Sequence, residues 1–118
     1  MSYPLPDNAR AIQAKVRDFV DNIGIPRELE CEDNPAEAEK YLEGNMAWAK
    51  ENGLWAMTLP KDLGGGGLSF LEQVIVNEQA GRATNGQGRC YSSPPRYLVE
   101  VATPYQMKTW IQPLIAGT

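Results

Sequence analysis

The chain has 118 residues, 42% of them hydrophobic and 22% charged, with a formal net charge of -4 and a pI near 4.8. That is the profile of one ordinary globular domain; an acidic chain without a basic stripe is not a nucleic-acid binder, and no apolar run approaches the ~20 residues that span a bilayer. The absence of histidine removes His-based acid–base catalysis, Ser-His triads and most zinc sites.

The first residues, Met1 to Pro6, carry no basic stretch followed by an apolar one, so no signal peptide is expected and the expected location is cytoplasmic. The periodicity predicts a first helix over Asp7 to Asn22, with Ala9, Ile12, Val16, Phe19, Val20 and Ile23 on one face. Gly24 and Pro26 are expected to stop it, and Arg27 to Asn34 to form a polar loop. A second helix follows, capped by Asn34 with Pro35 at its first position, and ended by Asn52-Gly53 with Gly53 left-handed.

Leu54 to Leu59 is the one strand-like segment, expected as an extended, partly buried crossing. Gly64 to Gly67 cannot form a stable helix or strand. Ser69 restarts the chain, and Ser69-x-x-Glu72 reads as a capping box for a third helix to about Ala83. Its apolar residues cover more than half the circumference, which predicts a helix inside a bundle. A polar connection from Thr84 to Ser93 leads to a short fourth helix, Pro94 to Ala102, with Ser93 as cap. Thr103-Pro104-x-Gln106 starts a fifth, irregular in its last turn near Pro113 and closed by Gly117. The result is an all-α bundle of four to five helices.

Few motifs carry chemistry. The glycine run precedes a helix, but no Gly-Lys-Ser/Thr follows and no βαβ unit surrounds it, so close backbone packing is the expected use rather than phosphate binding. Cys31 and Cys90 form no Cys-x-x-Cys pair and read as free thiols. Cys90 beside Arg89 has the outline of an activated nucleophile, with a solvated loop as the alternative. Glu78 and Arg82 are spaced to pair along one helix.

Three stretches in order carry a resemblance. The first is Gly53-Leu54-Trp55 through Leu59-Pro60, then Gly64-Gly65 and Gly67-Leu68-Ser69. The second is Glu78-Gln79-Ala80-Gly81-Arg82-Ala83. The third is Thr103-Pro104-Tyr105-Gln106-Met107-Lys108 through Trp110, then Gln112-Pro113-Leu114 and Gly117. Their order and spacing resemble the N-terminal helical domain of the acyl-CoA dehydrogenases.

The resemblance implies an enzyme that uses FAD to oxidise the α,β C–C bond of an acyl-CoA thioester. It implies a β-domain and a C-terminal bundle after this domain, with the flavin and the catalytic glutamate held there. The family's Thr-Glu-Pro-x-Ala-Gly-Ser-Asp stretch is absent from these 118 residues. This chain alone is therefore expected to be inactive, with no catalytic, cofactor or metal residue of its own. What it is expected to supply is a wall of the acyl-chain cavity, near Asn85, Arg89, Ser92, Ser93 and Arg96. Two arginines there are unusual beside an apolar acyl tail. They either face solvent, meet a polar acyl group or meet an acidic partner. Leu54, Leu68 and Val76 match positions where some members dock electron-transfer flavoprotein, with plain core packing as the alternative. Whole members of the family are homo-oligomers.

Two other classes stay open. One is a non-catalytic assembly module that completes a flavin site on a partner chain. The other is a stand-alone helical bundle that binds an acyl group, which the lack of a basic patch for CoA phosphates disfavours.

Overall fold

In the computed structural model, residues 4–92 and 94–118 are described. Helix α1 spans Asp7–Phe19 and α2 spans Glu28–Glu32. Helix α3 is Pro35–Glu51, α4 is Phe70–Ala80 and α5 is Arg96–Val101. The last two are α6, Pro104–Gln106, and α7, Gln112–Ala116. Among the described residues the only β pairing outside helices is one isolated parallel bridge, Trp55 with Ser92. The chain is all-α, as the periodicity predicts.

The expected stop at Gly24-Pro26 does not occur. After α1 the chain widens into a π turn, Val20–Gly24, tightens to a 3-10 turn, Ile25–Arg27, and enters α2 where a polar loop was expected. A π turn also precedes α7, where Met107–Ile111 lead straight into the helix without a 3-10 turn. In both places the residue after the π turn donates to a carbonyl five residues back, Ile25 to Val20 and Gln112 to Met107. In both places the next residue is proline, Pro26 or Pro113. A proline has no N–H to give and its ring collides with the carbonyl four residues back. The wider turn moves that carbonyl away, so the chain stays helical through a residue that would otherwise break it. The irregularity expected near Pro113 thus lies in the turn before it.

The predicted caps form. Asn34 Oδ1 accepts from the Glu37 N–H at 3.4 Å and starts α3. Gly53 ends that helix region at φ +71°. Ser69 and Glu72 make a reciprocal capping box, with bonds of 3.2 and 2.9 Å. Thr103 and Gln106 make a second. The expected Ser93 cap lies outside the described residues. The expected Glu78–Arg82 pair does not form; Arg82 instead donates to Asp21 at 2.7 Å and ties α4 to the end of α1.

Two buried clusters share one spine. The larger gathers Val16, Phe19 and Val20 with Ala49, Leu54, Met57, Val76, Ala80 and Cys90. Phe19 packs on Trp48 with ring centroids 4.5 Å apart. The smaller joins Ala56 and Leu59 to Ile111 and Ile115. The crossing from Leu54 to Leu59 therefore feeds both, which explains why so short a segment is so apolar. The glycines beside it serve packing. A Cβ on Gly65 would sit 2.3 Å from the Leu59 carbonyl oxygen, and one on Gly66 would sit 2.4 Å from that of Gly53. No larger residue fits at either position.

The shape is a slab of 44 × 41 × 21 Å, with a radius of gyration of 15.3 Å. A compact domain of this length has about 13.5 Å. Helix α4 is not enclosed as its apolar circumference predicts. Its inner residues Ile75 and Val76 are buried, yet Phe70 is 80% exposed and Leu71 and Val74 are also open. Val101, Tyr97 and Trp110 are exposed as well.

Candidate functional site

The connection from α4 to α5 is not the solvated loop that its polarity suggests. Gln87, Gly88 and Cys90 are buried, and Cys90 belongs to the main core. Two anchors hold the segment. At its start, the Thr84 N–H and the Asn85 side chain donate to Glu28 at 2.8 and 3.1 Å. At its end, the Ser92 N–H donates to the Leu54 carbonyl at 3.3 Å, and the Met57 N–H donates to the Ser92 carbonyl at 3.4 Å. Between them the backbone presses on α4, where a Cβ on Gly88 would lie 1.9 Å from the Ala80 carbonyl oxygen.

Pinning the chain this way leaves two hollows that share a rim of Arg89, Tyr91 and Ser92. One, about 430 Å³, lies over the end of α4 and is lined by Asn77, Ala80, Gly81, Ala83, Gly86 and Gly88. The other, about 230 Å³, is walled by Leu42, Met46 and Trp55. A third groove of about 480 Å³ runs along Thr58, Leu68, Ser69, Phe70 and Gln73 to Pro94, Pro95 and Arg96.

The five residues expected along an acyl wall are thus divided. Arg89 and Ser92 come together at the shared rim. Asn85 is a turn residue at φ +55° whose side chain is spent on Glu28. Arg96 lies on the third groove and pairs with Glu100 at 3.6 Å. Ser93 is outside the described residues. Of the three positions expected to dock a partner, Leu54 and Val76 are fully buried in the core, and Leu68 is half-buried along the third groove. Trp55, Met46 and Leu42 were not expected at the site; only the fold, which brings α3 and the crossing beside Tyr91, puts them there.

Burial pushes the Cys90 thiol up to about 11, so it stays protonated near neutral pH and the activated-nucleophile reading falls. Among the described residues no group of three or more His, Cys, Asp or Glu is gathered for a metal, and no helix is long and apolar enough to cross a membrane. The hollows do not fit a flavin dinucleotide. They are open depressions of a few hundred Å³. The two buried polar atoms lacking a partner, Asn45 Nδ2 and Gln87 Oε1, line none of the three.

The comparisons with known proteins agree with the helical order. The acyl-CoA dehydrogenase N-terminal domain profile matches residues 6–118. A 3-sulfinopropanoyl-CoA desulfinase of Variovorax paradoxus is 29% identical over 98% of this chain and 29% of its own length. A short-chain specific acyl-CoA dehydrogenase of Sus scrofa mitochondria is 24% identical over 98% of this chain and 28% of its own. A 3-(aryl)acrylate reductase of Clostridium sporogenes is 31% identical over 90% of this chain and 28% of its own. The chain thus spans under a third of the length of these curated relatives. No solved structure matches it significantly. The chain belongs to the acyl-CoA dehydrogenase N-terminal domain family.

Proposed function

We propose that this domain is one wall of the acyl-chain cavity in an FAD-dependent enzyme that oxidises the α,β C–C bond of a small acyl-CoA thioester. The observation that carries the reading is the coincidence of the family match with the pinned rim at Arg89, Tyr91 and Ser92. A wall needs a rigid backbone with a shaped, partly apolar surface. The anchors on Glu28 and Leu54, and the tight seat of Gly88 on α4, supply that rigidity. The relatives named for short-chain acyl and 3-sulfinopropanoyl substrates support a small acyl group.

In this reading the flavin and the proton-abstracting base come from chain outside these residues, and the 118 residues alone do not turn over substrate. The enzyme is cytoplasmic and homo-oligomeric, and electron-transfer flavoprotein is its acceptor, reached along the groove that Leu68 lines. The exposed apolar residues of α4 and α5 are where further protein covers the slab. An intact mass and a visible spectrum of the protein from its native source test this. A yellow species of about three times 13.0 kDa is expected. A colourless species at 13.0 kDa would contradict it and put an assembly module acting on a partner's flavin site first.

A further inference from the structure

The sequence holds two Asn-Gly pairs, Asn52-Gly53 and Asn85-Gly86. Such a pair is chemically weak, because glycine puts no side chain between its backbone nitrogen and the carbonyl carbon of the asparagine side chain. The fold treats the two differently. Asn52 is half-buried at the end of α3 and its Nδ2 donates to the Trp48 carbonyl at 2.8 Å. The Gly53 N–H is itself spent on the Lys50 carbonyl at 3.4 Å. Asn85 and Gly86 are instead the exposed central residues of a turn, closed by the Gln87 N–H on the Thr84 carbonyl at 3.0 Å. Both stand at positive φ, +55° and +75°, a region that residues with a side chain seldom occupy. The Gly86 N–H has no acceptor among the described residues.

We propose that Asn85 is a deamidation site whose conversion releases the α4–α5 connection from Glu28. The Gly86 nitrogen gives its proton to solvent base and attacks Cγ of Asn85. The Cγ–Nδ2 bond breaks, and the amide nitrogen takes up a proton and leaves as ammonia. Water then opens the cyclic imide at either carbonyl, giving aspartate or isoaspartate. One water enters and one ammonia departs, with nothing oxidised or reduced. The product inverts the anchor that Asn85 makes. Its Nδ2 donates to the Glu28 carbonyl at 3.1 Å, and the Glu28 carboxylate accepts from the adjoining Thr84 N–H at 2.8 Å. After conversion an acceptor faces that carbonyl and a negative charge lies near that carboxylate, so the contact repels. The second anchor, Ser92 on Leu54, is untouched, so the stretch between them loosens beside the Arg89 rim. The inference stands on this anchor geometry and not on the acyl-CoA reading.

The test holds the full-length protein that carries this domain in mildly alkaline buffer and maps its tryptic peptides by mass. The peptide from Ala83 to Arg89 holds Asn85, and that from Glu51 to Lys61 holds Asn52. The first is expected to exchange NH for O several-fold faster than the second. The Thr84, Gln87 and Arg89 amides, all hydrogen-bonded in the intact turn, should then exchange hydrogen about 10-fold faster, the effect of one lost hydrogen bond. Asn85→Asp should show that faster exchange without ageing, and Asn85→Ser should leave the first peptide's mass unchanged with time. If the Asn85 peptide converts no faster than the Asn52 peptide, the site assignment is overturned. If it converts and the three amides exchange as before, the release from Glu28 is overturned.

Discussion

The inner and outer faces of α4 have the same kind of residue and opposite fates. Ile75 and Val76 are buried, Val76 in the cluster that α1 and the crossing share, whereas Phe70 is 80% exposed and Leu71 and Val74 are also open. Apolar pattern predicts that a side chain will be covered; it does not say by what. On the inner face the cover is this chain. On the outer face Phe70, Leu71 and Val74 are left open, and Tyr97, Val101 and Trp110 elsewhere on the slab are exposed as well.

That contrast is broken most forcefully from the inside. Leu54→Ala removes a buried side chain that links the larger cluster to the crossing, and should cost about 2–5 kcal/mol in urea unfolding. Gly88→Ala drives a methyl into the Ala80 carbonyl and should cost about 3 kcal/mol while loosening the Arg89 rim. If either change left the midpoint where it was, the packed wall described above would be wrong.

A pH series sharpens the same point. The Cys90 thiol is raised from 9.0 to about 11 by burial, so the folded form keeps its proton where the unfolded form loses it. Its contribution is fully present below pH 9 and is lost as pH rises toward 11, by roughly 2–3 kcal/mol. The urea midpoint should fall over that window, and less steeply in Cys90→Ala. An equal slope in that variant would mean that the thiol is not sealed.

Smaller effects follow at the edge of α4. Ser69→Ala deletes one half of the capping box and should cost about 1 kcal/mol. Phe70→Ser, one position further on, should change the stability of the isolated 118-residue chain by no more than about 0.5 kcal/mol. A loss of several kcal/mol there would show that the outer face of α4 is covered within this chain after all.

Much of the fold is legible in the sequence because local chemistry dictates it. Asn34-Pro35, Ser69-x-x-Glu72 and Thr103-Pro104-x-Gln106 each announce a helix start, and each forms. The π turns are not legible as such, since Pro26 reads locally as a stop and Pro113 only as an irregular last turn. The burial of Gln87, Gly88 and Cys90 is hidden for a different reason. A polar segment goes inside only because Glu28 and the crossing, distant in sequence, hold its two ends. The candidate site shares this division. Arg89 and Ser92 are among the five residues that the resemblance places along a wall. Their union with Trp55, Met46 and Leu42 depends on tertiary placement.

The central claim is that this slab walls an acyl cavity beside a flavin, and an anaerobic titration of the native protein with small acyl-CoA thioesters tests it most directly. Loss of the flavin's visible absorbance on adding a thioester, slowed by Gly88→Ala, is the expected result. A protein with no flavin spectrum, or one whose spectrum no acyl-CoA alters, would contradict the account.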